Sequence, residues 1–322
     1  SIMIWGHITE TPFRIEWFVY AQTLAYSLTF LFAFVVVVKK AKFKRPNWNR
    51  LFFIMIIKQS FPFAILVLLM TFYYRSDVIL LERILKGSYG DQQVGVYAMG
   101  FRLLDAANMI PMLFAVLLFP IFSRMIKMKE PVVQIAKLAF SLLFTLSVIV
   151  AVGSCFYNYE LMGLLYDKNI PEASLVFNKL MFSFIAISTI YVFGTLLTAN
   201  GNLWQLNIIS AIALLVNFTI NFILIPKIQA EGSAYANLAT QFIAAISQVI
   251  LVQYVFRFSI NYKYIASLVI FVAGVILLNS ISKHLEFSWI LNFGLMITGS
   301  LILASLLKLL NIRSLIHIIK NR

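Results

Sequence analysis

The sequence predicts an all-α polytopic membrane protein, and three observations carry that prediction. Of its 322 residues 61% are hydrophobic and only 12% charged, where soluble domains carry roughly 25% charged residues. Apolar runs recur at about the 20 residues needed to cross some 30 Å of hydrocarbon. These runs are continuous, without the apolar/polar alternation of barrel strands. Lipid offers backbone N–H and C=O groups no partners, so such runs read as helices.

Taken in order, nine runs are long enough to span: 17–38, 61–85, 94–119, 135–156, 174–197, 203–226, 233–256, 264–282 and 289–310. The first closes on Lys39 and Lys40 and leads into the basic linker "KKAKFKRPNWNR" (39–50). The following "LFFIMIIKQ" (51–59) reads as a short interfacial helix before the second span. "KGSYGDQQ" (86–93) joins the second and third spans. "NYELMGLLYDKNIPEAS" (157–173) is half apolar and acidic, and is expected to lie along the outer surface.

The net charge of +14 does not point to nucleic acid, because of where the charges fall. Loops on one side hold Lys39, Lys40, Lys42, Lys44, Arg45, Arg50, Arg124, Lys127, Lys129, Arg257, Lys263, Arg313, Lys320 and Arg322, whereas the other side holds Arg14, Lys86, Lys168, Lys227 and Lys283. By the positive-inside rule the richer side is cytoplasmic, which places the N-terminus of this chain outside and its C-terminus inside. The basic loop is read as a topology signal that also contacts anionic lipid.

Several chemistries are excluded. Cys155 is the single cysteine, and His7, His284 and His317 are scattered at segment ends, so disulfide scaffolds and zinc sites are out. No nucleotide-binding loop, zincin motif or nucleophile–base pair is present, so the chain is not read as an enzyme and no cofactor is expected. Passive or ion-coupled movement through a helix bundle remains.

"FYYRSDVILLERIL" (72–85) poses the main puzzle, with Arg75, Asp77, Glu82 and Arg83 inside an apolar run. Charge at bilayer depth is costly unless it faces a cavity or a partner. From a rise of 1.5 Å per residue, Arg75 falls about 15 Å below the outer end and Asp77 about 12 Å, whereas Glu82 and Arg83 are shallow enough to snorkel. On the returning span Arg102 falls about 12 Å down and Asp105 about 16 Å. Depth alone therefore pairs Asp77 with Arg102 and Arg75 with Asp105. Two readings stay open: the charges neutralise each other and lock two helices, or they line a polar cavity and exchange partners. Lys179 is read as a snorkelling residue.

A second polar constellation is "VNFTINFILIPKIQAEGSAYANLATQ". Asn217 and Asn221 are four apart and share a helix face, and Ser233, Asn237 and Thr240 follow on the next run. Such oxygens suit Na⁺ near a carboxylate, or interhelical hydrogen bonds. The sequon Asn217-Phe218-Thr219 lies within a span and is discarded.

"FYYRSDVILLERIL", "VGVYAMGFRLLDAANMIPMLFAVLLFPIFSR" (94–124) and "VNFTINFILIPKIQAEGSAYA" (216–236) together resemble the polysaccharide-biosynthesis flippases of the multidrug/oligosaccharidyl-lipid/polysaccharide exporter superfamily, most of all the O-antigen (Wzx-like) type. The resemblance runs from about residue 17 to 310 on loose motifs. It implies a two-lobe fold, with 1–38 ending a mostly missing N-terminal lobe, 39–60 a cytoplasmic linker and interfacial helix, 61–256 a six-helix C-terminal lobe, 264–310 two extra helices and 311–322 a basic tail. Ser1 with no signal pattern behind it fits the same expectation of an N-terminally truncated chain. Further implied are flipping of undecaprenyl-diphosphate-linked oligosaccharide in a bacterial inner membrane, Na⁺ or H⁺ as coupling ion, and polysaccharide polymerase or glycosyltransferases as partners. By matching positions the resemblance puts Arg75 and Arg102 on the diphosphate. It puts Asp77, Asn217, Asn221 and Asn237 at a cation site to which Ser233 adds backbone. A drug/cation antiporter or lipid II flippase of the superfamily, and a non-transporting scaffold for polysaccharide assembly, are the rival readings.

Overall fold

The computed structural model describes residues 15–40, 49–259 and 261–310. The linker cations Lys42, Lys44 and Arg45, the tail residues Arg313, Lys320 and Arg322, and Arg14 lie outside them. Among the described residues nine helices follow one another: α1 (Ile15–Lys40), α2 (Arg50–Leu85), α3 (Gly87–Lys127), α4 (Val133–Phe156), α5 (Asn158–Leu165), α6 (Ile170–Ala199), α7 (Leu203–Phe256), α8 (Tyr262–Lys283) and α9 (Trp289–Leu306). Eight are long and apolar enough to cross a membrane. The protein is an all-α polytopic membrane protein.

The chain divides into two compact units, Ser1–Ile57 and Lys58–Arg322. In the first, α1 satisfies its own hydroxyls: Thr23, Ser27 and Thr29 donate to the carbonyls of Val19, Thr23 and Ala25 four residues back. That is how such residues become tolerable in an apolar helix. Asn49 caps the start of α2 by accepting from the backbone N–H of Leu51 and Phe52. The expected separate helix over 51–59 is absent, since α2 runs on through Pro62. A proline removes one ladder bond, and here that loss does not end the helix.

In the second unit α6 is the hub, packed against α3, α4, α5 and α7. The approach of α3 to α6 is close because Gly100 carries no side chain: a Cβ there would stand 3.1 Å from the Phe177 Cα. Small residues at such crossings let backbones meet where apolar burial alone drives no association. One core joins Leu81, Tyr97, Leu104, Phe177, Leu180 and Ile225. Towards the other end of the bundle Leu118, Phe122, Leu196, Leu206 and Val252 form another. A third, with Val152, Phe271, Val275 and Met296, fixes α8 and α9 on α4.

The expected runs 203–226 and 233–256 form the single element α7, broken inside at Ile228 (φ −133°, ψ 22°) and Gln229 (φ 48°, ψ −127°). This accounts for eight long helices where the sequence shows nine apolar runs. Pro226 weakens the helix just ahead of the break, and the freed N–H of Ala230 is taken by the Gln93 Oε1 at 3.2 Å. Gln93 also donates to Glu172 at 3.2 Å, so one buried amide ties α3, α6 and the break together.

After the break the second half of α7 returns beside the first, and Gly232 makes that possible. A Cβ at Gly232 would lie 2.7 Å from the Leu224 carbonyl carbon and 2.8 Å from its oxygen. Backbone atoms cannot swing aside as a side-chain end does, so Gly232→Val is expected to cost roughly 1–3 kcal/mol through overpacking. Thermal unfolding of the purified protein in detergent reads this directly, and an unaltered midpoint would mean that the turn yields.

Candidate functional site

Asp77 is the centre of the site, and its side chain is fully buried. Its Oδ1 accepts from the Asn217 amide at 3.0 Å and the Asn221 amide at 2.8 Å. Its Oδ2 accepts from the Tyr97 hydroxyl at 2.7 Å and, more weakly, from the Asn237 amide at 3.4 Å. A carboxylate offers acceptor sites only, so four converging donors make a matched cage for it. The cage has its own supports. Ser76 donates to the Asn217 Oδ1 at 2.9 Å, and Ser233 donates to the Asn221 Oδ1 at 2.8 Å. Both amides are thereby oriented with their N–H₂ groups towards Asp77.

The folding of α7 back on itself brings these amides together. Asn217 and Asn221 lie one turn apart on its first half, while Ser233 and Asn237 open the second. α2 delivers Ser76 and Asp77, and α3 delivers Tyr97. One acceptor of the cage stays unmatched: the Oδ1 of Asn237, whose amide reaches Asp77, is buried without a partner among the described residues, as is Thr240 Oγ1 three residues further along α7. A buried acceptor left unpaired costs about 1–3 kcal/mol, and a bound cation or water would relieve it. Among the described residues no group of three or more His, Cys, Asp or Glu exists that could hold a metal ion. Asn217 and Asn221 turn N–H₂ groups and not oxygens to Asp77, so the hard oxygens open to a ligand are those of the carboxylate and Asn237 Oδ1, a set that suits a proton or a weakly held monovalent cation rather than a transition metal.

On the opposite face of α2 lies a different environment. Arg75 Nη2 stands 3.7 Å from Asp105 Oδ2, with 62% of the arginine side chain and 45% of the aspartate exposed. Its guanidinium also lies over the Phe101 ring, 5.5 Å from the centroid. An open apolar groove follows this face, lined by Phe63, Val67, Phe72, Arg75 and Ile79 among others. Glu82 and Arg83 are exposed near the end of the helix.

The structure brings Arg75 to Asp105 but does not bring Asp77 to Arg102. Matching depth was not enough. Residues 75 and 77 lie about 200° apart around a helix turning about 100° per residue, so they meet α3 at different places, Asp77 at Tyr97 and Arg75 about two turns further along at Asp105. On α3 the residues turned towards α2 are Tyr97, Phe101 and Asp105, spaced four apart. Arg102 is rotated about 100° from Phe101, is exposed, and makes no ion pair among the described residues. Ser233 stands at the cage, where its hydroxyl donates to the Asn221 Oδ1.

Tyr97 and Ser76 are the members that sequence reading missed. A hint existed, because a tyrosine on a helix face of core residues must find a partner for its hydroxyl. Lys179 has a partner that its position in the sequence does not reveal: it pairs with Glu231 at 2.7 Å with both side chains largely covered, and sits over the Tyr235 ring. The break in α7 places Glu231 beside α6, which a straight reading of two separate spans does not show.

No protein-family model matches the chain, and no curated protein matches it.

Proposed function

We propose that this chain flips undecaprenyl-diphosphate-linked oligosaccharide repeat units across a bacterial inner membrane, for O-antigen, capsule or exopolysaccharide synthesis, by ion- or potential-coupled alternating access. One observation carries the reading. Two residues apart on α2, an exposed arginine looks onto an open apolar groove while a fully buried carboxylate sits in a cage of amides. A diphosphate crossing hydrocarbon needs cationic shielding, and the planar guanidinium fork matches a pair of phosphate oxygens. Arg75 supplies that fork, and Arg102, exposed and unpaired among the described residues, supplies a second cation. The lipid tail stays in the bilayer throughout.

Asp77 takes the coupling ion, Na⁺ or H⁺, as co-substrate. The unpaired Oδ1 of Asn237, on an amide that reaches Asp77, supports this role for the cage. A cationic-drug antiporter is the weaker reading, since Asp77 and Asp105 are both already engaged. The basic loops face the cytoplasm and anionic lipid, the N-terminus of this chain lies outside and the C-terminus inside. Polysaccharide polymerase and glycosyltransferases are the expected neighbours.

Deleting the gene in its own bacterium tests the reading. Surface polysaccharide should disappear and lipid-linked repeat units should accumulate on the cytoplasmic leaflet, with re-expression of the protein reversing both. Unchanged surface polysaccharide in the deletion strain would refute it.

A further inference from the structure

The two faces of α2 are joined by an unbroken stack of aromatic rings on α3. The Arg75 guanidinium lies over Phe101 at 5.5 Å. Phe101 stacks on Tyr97 with centroids 5.7 Å apart and planes 21° from parallel. The Tyr97 hydroxyl then donates to Asp77 at 2.7 Å. Tyr74 closes the stack edge-on against Phe101 at 5.8 Å, and its own hydroxyl accepts from Asn108. The exposed ion pair and the buried carboxylate are thus linked through two side chains spaced four apart on one helix.

We propose that Phe101 and Tyr97 are positioning residues that couple capture of a phosphate anion at Arg75 to the state of the Asp77 cage. The inference rests on the reading that Arg75 meets phosphate, and adds how that event reaches the ion site. Arg75 is held loosely, by a half-exposed partner at 3.7 Å and by a cation–π contact. A phosphate oxygen pair offers stronger, bidentate hydrogen bonds and draws the guanidinium off both. Phe101 then loses the cation that fixed its face, and Tyr97, stacked on it, loses the surface that aims its hydroxyl. A shift of that hydroxyl removes one of the two donors on Asp77 Oδ2, leaving the weak bond from Asn237. The cage is then better suited to exchanging its ion.

The location favours movement. α2 is not among the helices with extended close backbone packing, which are α3 to α9. Its second half meets the bundle through side chains, with Tyr74, Ser76 and Asp77 among them, and nearer its start the Pro62 carbonyl accepts from Asn207. Coupling by linkage is reciprocal, so the factor by which anion capture alters ion affinity at Asp77 is also the factor by which the bound ion alters anion affinity at Arg75. One ligand therefore suffices to test the link.

The probe is inorganic pyrophosphate, titrated into the full chain in lipid nanodiscs, in a double-mutant cycle. In the wild-type background Asp77→Asn should shift pyrophosphate affinity by about fivefold or more, the lower end of allosteric couplings. With Phe101→Leu, which keeps apolar bulk but loses the ring face, the same Asp77→Asn change should shift it by less than about twofold. Tyr97→Phe, which deletes only the hydroxyl, should silence the coupling in the same way. Phe101→Trp should restore it, since a ring face is regained. A purely structural role for Phe101 would lower affinity or stability without erasing the dependence on Asp77. Equal Asp77→Asn shifts in the wild-type, Phe101→Leu and Tyr97→Phe backgrounds would overturn the relay, as would no shift in the wild type. Absence of any pyrophosphate binding to the wild type would instead refute the phosphate reading of Arg75, and the relay with it.

Discussion

Asp77→Asn is expected to cut polysaccharide export by about 10- to 100-fold, the scale set by losing one or two hydrogen bonds to a charged group. The protein should still accumulate in the membrane. The substitution keeps the shape and retains one carbonyl acceptor for the Asn217, Asn221, Tyr97 and Asn237 donors. Its new N–H₂ group opposes other donors, which costs about 1–3 kcal/mol, but a buried charge no longer has to be held out of water, which offsets part of that cost. The thermal midpoint should therefore fall modestly while transport collapses. Asp77→Leu makes the contrast. It leaves all four donors facing hydrocarbon and should lower both stability and accumulation. Export assays paired with immunoblots of membranes separate the two cases, and near-normal export by Asp77→Asn would show that the carboxylate is only a structural centre.

Arg75 carries the second large effect. Arg75→Ala should reduce export by at least about tenfold, the loss of a single charge-assisted contact to phosphate. Stability should hardly change, because the exposed pair with Asp105 contributes at most about 1 kcal/mol. The decisive variant exchanges the partners: Arg75→Asp combined with Asp105→Arg. If the pair exists only to neutralise charge within the bundle, the exchange restores it and export returns. If the guanidinium at 75 meets the diphosphate, the exchange leaves export defective, although charge balance is regained. Arg102→Ala, tested alongside, should give a milder loss. Normal export by Arg75→Ala, Arg102→Ala and Asp77→Asn together would favour a non-transporting scaffold.

A helix reveals its depth in one dimension but not its rotation against its neighbours. Depth is legible because each residue advances the chain by 1.5 Å. The apolar runs, their order and the height of Arg75 and Asp105 could therefore be read directly, and the latter two do meet. The shared face of Asn217 and Asn221 was equally legible, since a spacing of four sets it locally. Azimuth between helices was not. Asp77 and Arg102 lie at one depth yet face different ways, because helix rotation is set by packing of distant side chains such as Leu81, Leu104 and Phe177.

The amino-acid sequence by itself determined the membrane class, the succession of helices and the presence of a few deep polar groups. Hydrophobic length and local periodicity are properties of the chain alone. Only the tertiary structure decided that α7 doubles back at Ile228 and Gln229, that its two halves close an amide cage on Asp77, and that Tyr97 completes it. It also decided that Lys179 answers to Glu231. A buried polar group must find its partners wherever the fold places them, and those partners lie as much as 160 residues away in sequence.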